Sequence, residues 1–313
     1  MRCIEISSKA PCLKNVLYTS FETFASRLRV APSPRKAAQS TKGANMTIQS
    51  KGTALITGAS SGIGAVYADR LAHRGYDLIL VARNRSKLDT LATRLTNETR
   101  RAVEVLTADL SDTGDLARVE GVLKKDASIT LLVNNAGIGT VAPLLNSDVN
   151  KMNEMIALNI GALTRLTYAV VPGFVARGSG TIINISSIVA IAPELMNGVY
   201  GGSKAYVLAF SHSLQHELAS KGIRVQAVLP GATATDFWDI LGYPVSNFPP
   251  EFVMTTDDLV DAALSGLDQG ELVTIPALPD KAEWDRFEGE RRDMSARLSR
   301  REPATRYGVK TLA

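Results

Sequence analysis

A five-residue apolar run, T-A-L-I-T at 53–57, passes without a spacer into G-A-S-S-G-I-G at 58–64, and from there into a helical pattern carrying Ile63, Val66, Leu71 and Ala72. A strand, a glycine turn and a helix start in direct succession gather backbone N–H groups and a helix N-terminus at one point, where a pyrophosphate can sit. Gly58, Gly62 and Gly64 let the chain turn tightly and approach such a ligand. Further apolar runs at 76–82, 102–107, 129–133, 181–185 and 223–229 read as strands, with helical patterns between them. Strands alternating with helices predict an α/β domain with a doubly wound parallel sheet covered on both faces. Ligands of such sheets lie beyond the carboxyl ends of the strands, where every motif singled out below falls.

The stretch 187–204 carries the chemistry. Tyr200 and Lys204 are four residues apart, which stacks them on one side of a helix and brings an ammonium near a phenol. A phenol is a poor acid or base at neutral pH, with an unperturbed pKa of about 10. A cation close by stabilises phenolate, and lowering the pKa by about 3 units takes roughly 4 kcal/mol. The pair by itself is equally an ordinary amphipathic surface; its company decides. Ser187 lies thirteen residues before Tyr200, at the tip of the strand that ends at Ile185, and the glycine turn lies upstream.

Taken together, Ser187, Tyr200-Gly-Gly-Ser-Lys204, the turn T-G-A-S-S-G-I-G and Asn134-Asn-Ala-Gly137 resemble the short-chain dehydrogenase/reductase family over residues 52–276. The resemblance implies a Rossmann-like fold and an NAD(P)-dependent oxidoreductase that interconverts a carbonyl and an alcohol. It assigns Tyr200 as general acid/base, Ser187 as a hydrogen-bond donor to the substrate oxygen, and Lys204 as the group that lowers the tyrosine pKa and holds the nicotinamide ribose. Asn159, 25 residues beyond Asn134, would bind a relay water; by pattern alone it reads as a solvent-facing helix residue. The implied cofactor contacts are Gly58, Ser60, Ser61, Gly62, Ile63 and Gly64 in the turn, Asn135, Ala136 and Gly137, then Pro230, Gly231 and Thr235, with Tyr200 and Lys204 themselves. Asp109 and Leu110 join them; Asp109 also reads as a cap for the helix beginning near Asp112.

The second strand ends in Ala82, followed by Arg83 and then Arg85, where many NAD binders place an acid for the ribose 2′-OH. An absent acid beside a guanidinium favours a 2′-phosphate, hence NADP(H), with NAD(H) left open and a solvated loop cation as the plain alternative for Arg83. Residues 236–255 break the pattern with Phe237, Trp238, Ile240, Leu241, Tyr243, Phe248 and Phe252, reading either as a substrate lid with an apolar inner wall or as a subunit contact. Gly201 and Gly202 stand inside a helix, where each costs about 1 kcal/mol relative to Ala, so close approach to a cofactor or a neighbouring backbone is expected. Trp284, Phe287, Met294 and Leu298 mark a last amphipathic helix that packs on the body or a partner.

The net charge of +4 comes from residues 1–45, which hold eight Lys/Arg against two Glu; the rest carries −2, which argues against a nucleic-acid partner. Both cysteines, Cys3 and Cys12, lie in that leader, so no disulfide framework is expected, and His212 with His216 lacks a third ligand for zinc. No apolar run reads as long enough to span a bilayer. The leader is expected to be disordered, as a targeting segment or as sequence upstream of a true start at Met46; the second is the reading taken, with a cytoplasmic location. The chain thus divides into a leader 1–45, a domain 46–299 and a loose tail 300–313, with an apolar carbonyl or alcohol as substrate and a homodimer or homotetramer as assembly. A related epimerase or dehydratase and a non-catalytic NADP-binding sensor or scaffold are the competing functions.

Overall fold

The computed structural model describes residues 50–309, so the expectations for residues 1–45, including Cys3 and Cys12, and for residues 310–313 lie outside it. In order, β1 is Thr53–Thr57, α1 Gly62–His73, β2 Asp77–Ala82, α2 Arg85–Thr99, β3 Val103–Thr107, α3 Thr113–Lys125 and β4 Ile129–Asn134. A long helix follows in three parts: α4 Val149–Ile156, a π-helical turn Ala157–Ala162, and α5 Leu163–Arg177. Then come β5 Gly180–Ile185, α6 Gly198–Leu218, β6 Ile223–Val228, α7 Asp236–Ile240, α8 Thr256–Asp268 and β7 Val273–Thr274.

The strands form one parallel sheet in the order β3-β2-β1-β4-β5-β6-β7. Their near-continuous apolar runs follow from burial on both faces. Ala54, Ile56, Leu78 and Leu80 pack against Tyr67 and Leu71 of α1 and Leu259 of α8. Leu55, Ile79 and Val81, one residue out of step, face the other way toward Leu116 of α3 and Leu166 and Phe174 of α5. This period of two is the expected doubly wound arrangement. Strand order reverses between β1 and β4, which opens a crevice at their carboxyl ends.

One expectation is corrected. The continuous helix Val149–Arg177, 29 residues with a mean hydropathy of 1.3 in its most apolar window, is long and apolar enough to cross a membrane. Its apolar side, Leu166, Ala169, Val170 and Phe174, is buried on the sheet, as a core helix requires.

The chain divides into two compact units, Met1–Pro276 and Ala277–Ala313, and the sheet with all its covering helices belongs to the first. In the second, α9 (Lys281–Ser295) buries Trp284 and leaves Phe287 and Met294 about half exposed; Leu298 lies past its end.

Candidate active site

Backbone geometry makes the site's first wall. Gly58 and Gly62 have φ of +65° and +54°, a region that favours glycine. A Cβ on Gly64 would stand 2.6 Å from Asn135 Nδ2 and nearer still to the Gly58 carbonyl oxygen, so helix α1 lies against the turn that precedes it. Two side chains hold this junction of β1 and β4. Thr57 Oγ1 donates to Val133 O (3.2 Å) and accepts from the amides of Asn135 and Ala136 (3.0 Å each). Asn135 Nδ2 donates to Thr57 O (2.9 Å) and Gly58 O (3.2 Å). Ser61 is the N-cap of α1, yet its side chain makes no capping hydrogen bond, which leaves the helix's first amides for an anion. Thr57 was legible as the first letter of T-G-x-x-x-G-x-G, but its stitching role left no mark in the pattern.

At the end of β2, Arg83 is three-quarters exposed with a guanidinium nitrogen 4.0 Å from Asp109. Arg85 is engaged by Asp89 at 2.8 Å, so only Arg83 of the two arginines lines the crevice. Asn84 caps α2 by accepting from Lys87 N. The capping role considered for Asp109 belongs instead to Asp112, whose carboxylate accepts from Asp115 N (2.8 Å); Asp109 accepts from Ser111 N within its own turn.

The reactive group stands opposite. Ser187 begins a short 3-10 turn, accepting from Val189 N (3.3 Å) and donating to Pro230 O (3.4 Å). Helix α6, capped by Asn197, carries Tyr200 and Lys204 on its buried side. Lys204 Nζ lies 5.7 Å from the Tyr200 ring centroid and donates to Ile185 O at 3.0 Å. Burial pushes the Tyr200 phenol up to about 12, with the Ser187 hydroxyl pulling weakly the other way, and pushes Lys204 down to about 8. In this state the phenol is therefore raised by burial, where a lowering by the ammonium was expected.

For Asn159 the solvent-facing reading that pattern alone gives is overturned, because the residue is 2% exposed. It sits in the π-helical turn, accepts from Ile138 N (2.9 Å), and donates to Ile138 O (2.8 Å) and Ser203 Oγ (3.1 Å). Ser203 in turn donates to Tyr200 O (2.8 Å), and Ser186 Oγ donates to Lys204 O (2.7 Å). These two buried serines, whose roles were missed in the sequence, bond to main-chain groups of α6; small hydroxyls leave no periodic signal. Of the two helix glycines, a Cβ on Gly201 would meet Pro193 at 3.2 Å, the close approach expected, while Gly202 faces open space, which corrects that half of the expectation.

Every expected site residue except Gly64 lines or borders one cavity of about 380 Å³, with Asn159 just behind its wall through Ile138. The family model described as short chain dehydrogenase matches residues 52–242. The chain belongs to the short-chain dehydrogenases. A short-chain dehydrogenase from Sphingobium yanoikuyae, solved in complex with NADPH, is 49% identical with a TM-score of 0.79, covering 81% of this chain and 98% of its own. The bulky-bulky ketone specific alcohol dehydrogenase of Comamonas testosteroni is 44% identical with a TM-score of 0.75, covering 82% and 98%. Inactive hydroxysteroid dehydrogenase-like protein 1 of Homo sapiens is 35% identical over 184 residues, 58% of this chain and 56% of that protein. The chain thus spans little more than half the length of the curated relatives first matched.

In this short-chain dehydrogenase the far wall is the aromatic segment. Trp238 and Phe248 pack edge to face (4.6 Å between centroids), Tyr243 packs on Phe248 (5.2 Å), and Trp238 Nε1 donates to Thr233 O (3.0 Å). Phe237 turns the other way, 6.0 Å from the Tyr200 ring. Thr235, at the start of α7, reaches back over the glycine turn, its methyl 3.1 Å from where a Gly62 Cβ would be. Among the described residues no cluster of His, Cys, Asp and Glu could hold a metal ion.

Proposed function

We propose that the protein is an NADP(H)-dependent oxidoreductase that reduces an uncharged, apolar ketone or aldehyde to an alcohol, with Tyr200 as the general acid. The observation that carries this reading is that Tyr200, Lys204 and Ser187 open onto the same cavity as the glycine turn.

The residues fit a dinucleotide by their own geometry. The space against Gly58 and Gly64 has no room for a Cβ, the first turn of α1 has amides that no side chain caps, and Arg83 lines the same cavity with a guanidinium that could pair with a ribose 2′-phosphate. The NADPH held by the Sphingobium relative supports the same choice. When bound, a reduced nicotinamide supplies the hydride. Ser187 Oγ then donates to the substrate oxygen and orients it, and Tyr200 gives that oxygen its proton.

A phenol held up at about 12 is fully protonated at neutral pH, the form a general acid requires. As the proton leaves, phenolate charge forms on a ring whose centroid lies 5.7 Å from the Lys204 ammonium, in a buried site where such an attraction is strong. Lys204 so acts on the tyrosine as the proton departs more than before it does. Asn159 and Ser203 hold the Tyr200 carbonyl and the Ile138 loop in register across the cavity.

The substrate end is walled by Val189, Leu195, Met196, Phe237, Trp238 and Phe248, with no cation at that end. An anionic arm would have no partner there, which favours an uncharged carbonyl compound; the ketone in the Comamonas relative's name agrees with this. The test follows NADPH oxidation across ketones and aldehydes with Tyr200→Phe alongside. Loss of the proton donor should lower kcat by about 10²–10⁴-fold with little change in NADPH affinity. Full activity in Tyr200→Phe, or none in the parent with NADPH bound, would sink the proposal; the second outcome would leave a cofactor-binding protein without this activity, and the human relative is itself named inactive.

A further inference from the structure

Phe237 and Trp238 are neighbours in sequence with opposite duties. Trp238 is buried in a cluster with Ala232 and Phe248 and is tethered through its indole N–H. Phe237 meets Trp238 edge to face, at 87°. It packs both on this cluster and on the one formed by Met152, Met155, Val189, Leu195 and Tyr200. Its ring edge rests on Gly139: a Cβ there would lie 2.5 Å from Phe237 Cζ and 3.2 Å from Tyr200 Cε2. Gly139 has no positive φ, so its missing side chain answers to space and not to a turn. The glycine is a notch that receives the phenylalanine beside the reactive phenol.

We propose that Phe237, seated in the Gly139 notch, is the specificity-determining residue that limits the size of the carbonyl substituent lying beside Tyr200. The inference rests on the carbonyl-reduction reading above. Three features support it: the ring borders the cavity, it touches the tyrosine that must reach the substrate oxygen, and it contributes nothing to the polar framework of the site. A substituent that fits under Phe237 gains apolar contact, and one that is too large must displace the ring from its notch. Discrimination of this packing kind is worth about 10–200-fold.

The test uses the whole chain and ketones graded in size, from acetophenone to benzophenone and bulkier diaryl ketones, with NADPH. Phe237→Ala should raise kcat/KM for the largest ketone relative to acetophenone by at least about tenfold. Gly139→Ala should push the ring off its seat and lower kcat/KM for every ketone, and adding Phe237→Ala should restore at least half of the lost factor, because the new methyl then has room. A Phe237→Ala that changes small and large ketones by one common factor, or a double variant no better than Gly139→Ala alone, overturns the proposal. A readout independent of turnover separates this from failure of the function itself. Dissociation constants of the same ketones, measured by isothermal titration calorimetry on NADPH-loaded Tyr200→Phe protein with and without Phe237→Ala, must show the same size-dependent shift; equal constants would overturn the size limit even if no ketone is ever reduced.

Discussion

The two ends of the cavity are built by different means. At the cofactor end the shape belongs to the backbone: two positive-φ glycines, a third glycine with no room for a Cβ, and Thr57 and Asn135 bonded to main-chain groups of the adjoining strands. At the substrate end it belongs to side chains, a set of aromatic rings packed on one another in a stretch whose longest helix, α7, has five residues. A backbone that must fold back on itself admits one residue type at fixed spacings. A wall of packed rings can be made by many residue sets. The first end should therefore be intolerant of substitution and the second adaptable, and each of the following experiments tests that contrast.

The largest effect is expected at Gly64. An added Cβ would overlap the Gly58 carbonyl and Asn135 Nδ2, neither of which can leave without breaking the β1–β4 junction. Gly64→Ala should cost about 3 kcal/mol in urea unfolding, the upper part of the usual range for overpacking, and should abolish NADPH binding at micromolar concentrations. A variant that binds NADPH like the parent would break the claim that the turn is geometrically closed.

Next is Lys204, a charge kept in the interior at a cost to stability. Its folded pKa of about 8 lies below the 10.5 of a free lysine. The unfolded chain thus binds more protons between those two values, and stability should rise with pH across that window. Below about pH 8 the full cost is present, and above the unfolded value it is gone. Lys204→Met should then stabilise the cofactor-free protein by an amount on the order of 2 kcal/mol at pH 7 and much less at pH 10, while removing activity. Equal gains at both pH values would show that the amine is not strained by burial.

This contrast also explains what the sequence revealed. The order of strands and helices was legible because buried parallel strands read as short apolar runs, and the glycine turn because its spacing is a backbone requirement. The positions of Tyr200, Lys204 and Ser187 followed from one helix and one strand tip. Asn159 was misread by periodicity alone because a polar residue in an apolar helix looks like a solvent-facing one; its burial depends on Ile138 and Ser203, 21 and 44 residues away. The rise of the phenol by burial was not foreseen because spacing along a helix says nothing about how much water surrounds the pair. The partners of Phe237 were invisible for the same reason, since Gly139 lies almost a hundred residues earlier in the chain.

Arg83 should show a smaller effect confined to one cofactor. It is exposed and meets Asp109 only at 4.0 Å, so removing it disturbs little of the fold. Arg83→Ala should raise KM for NADPH about tenfold, the size of one charge-assisted hydrogen bond to phosphate, and leave KM for NADH within about twofold. Equal changes for both cofactors would place the 2′-phosphate elsewhere and move Arg83 to the solvated surface.

The smallest effect separates two adjacent glycines on α6. Gly202 faces open space, so Gly202→Ala removes backbone freedom from the unfolded chain without meeting anything in the folded one; it should stabilise by about 0.5–1 kcal/mol with activity unchanged. Gly201 lies under Pro193, whose Cα would be 3.3 Å from a new Cβ. There the same helix-propensity gain is offset by crowding, and because Tyr200 is the preceding residue, any shift of the helix reaches the phenol. Gly201→Ala should therefore be no more stable than the parent and should lose activity, with kcat falling more than the affinity for NADPH. If the two variants behave alike in unfolding and in kcat, helix propensity alone accounts for both positions, and the rigidity claimed for the backbone-built end does not extend to the helix that carries Tyr200.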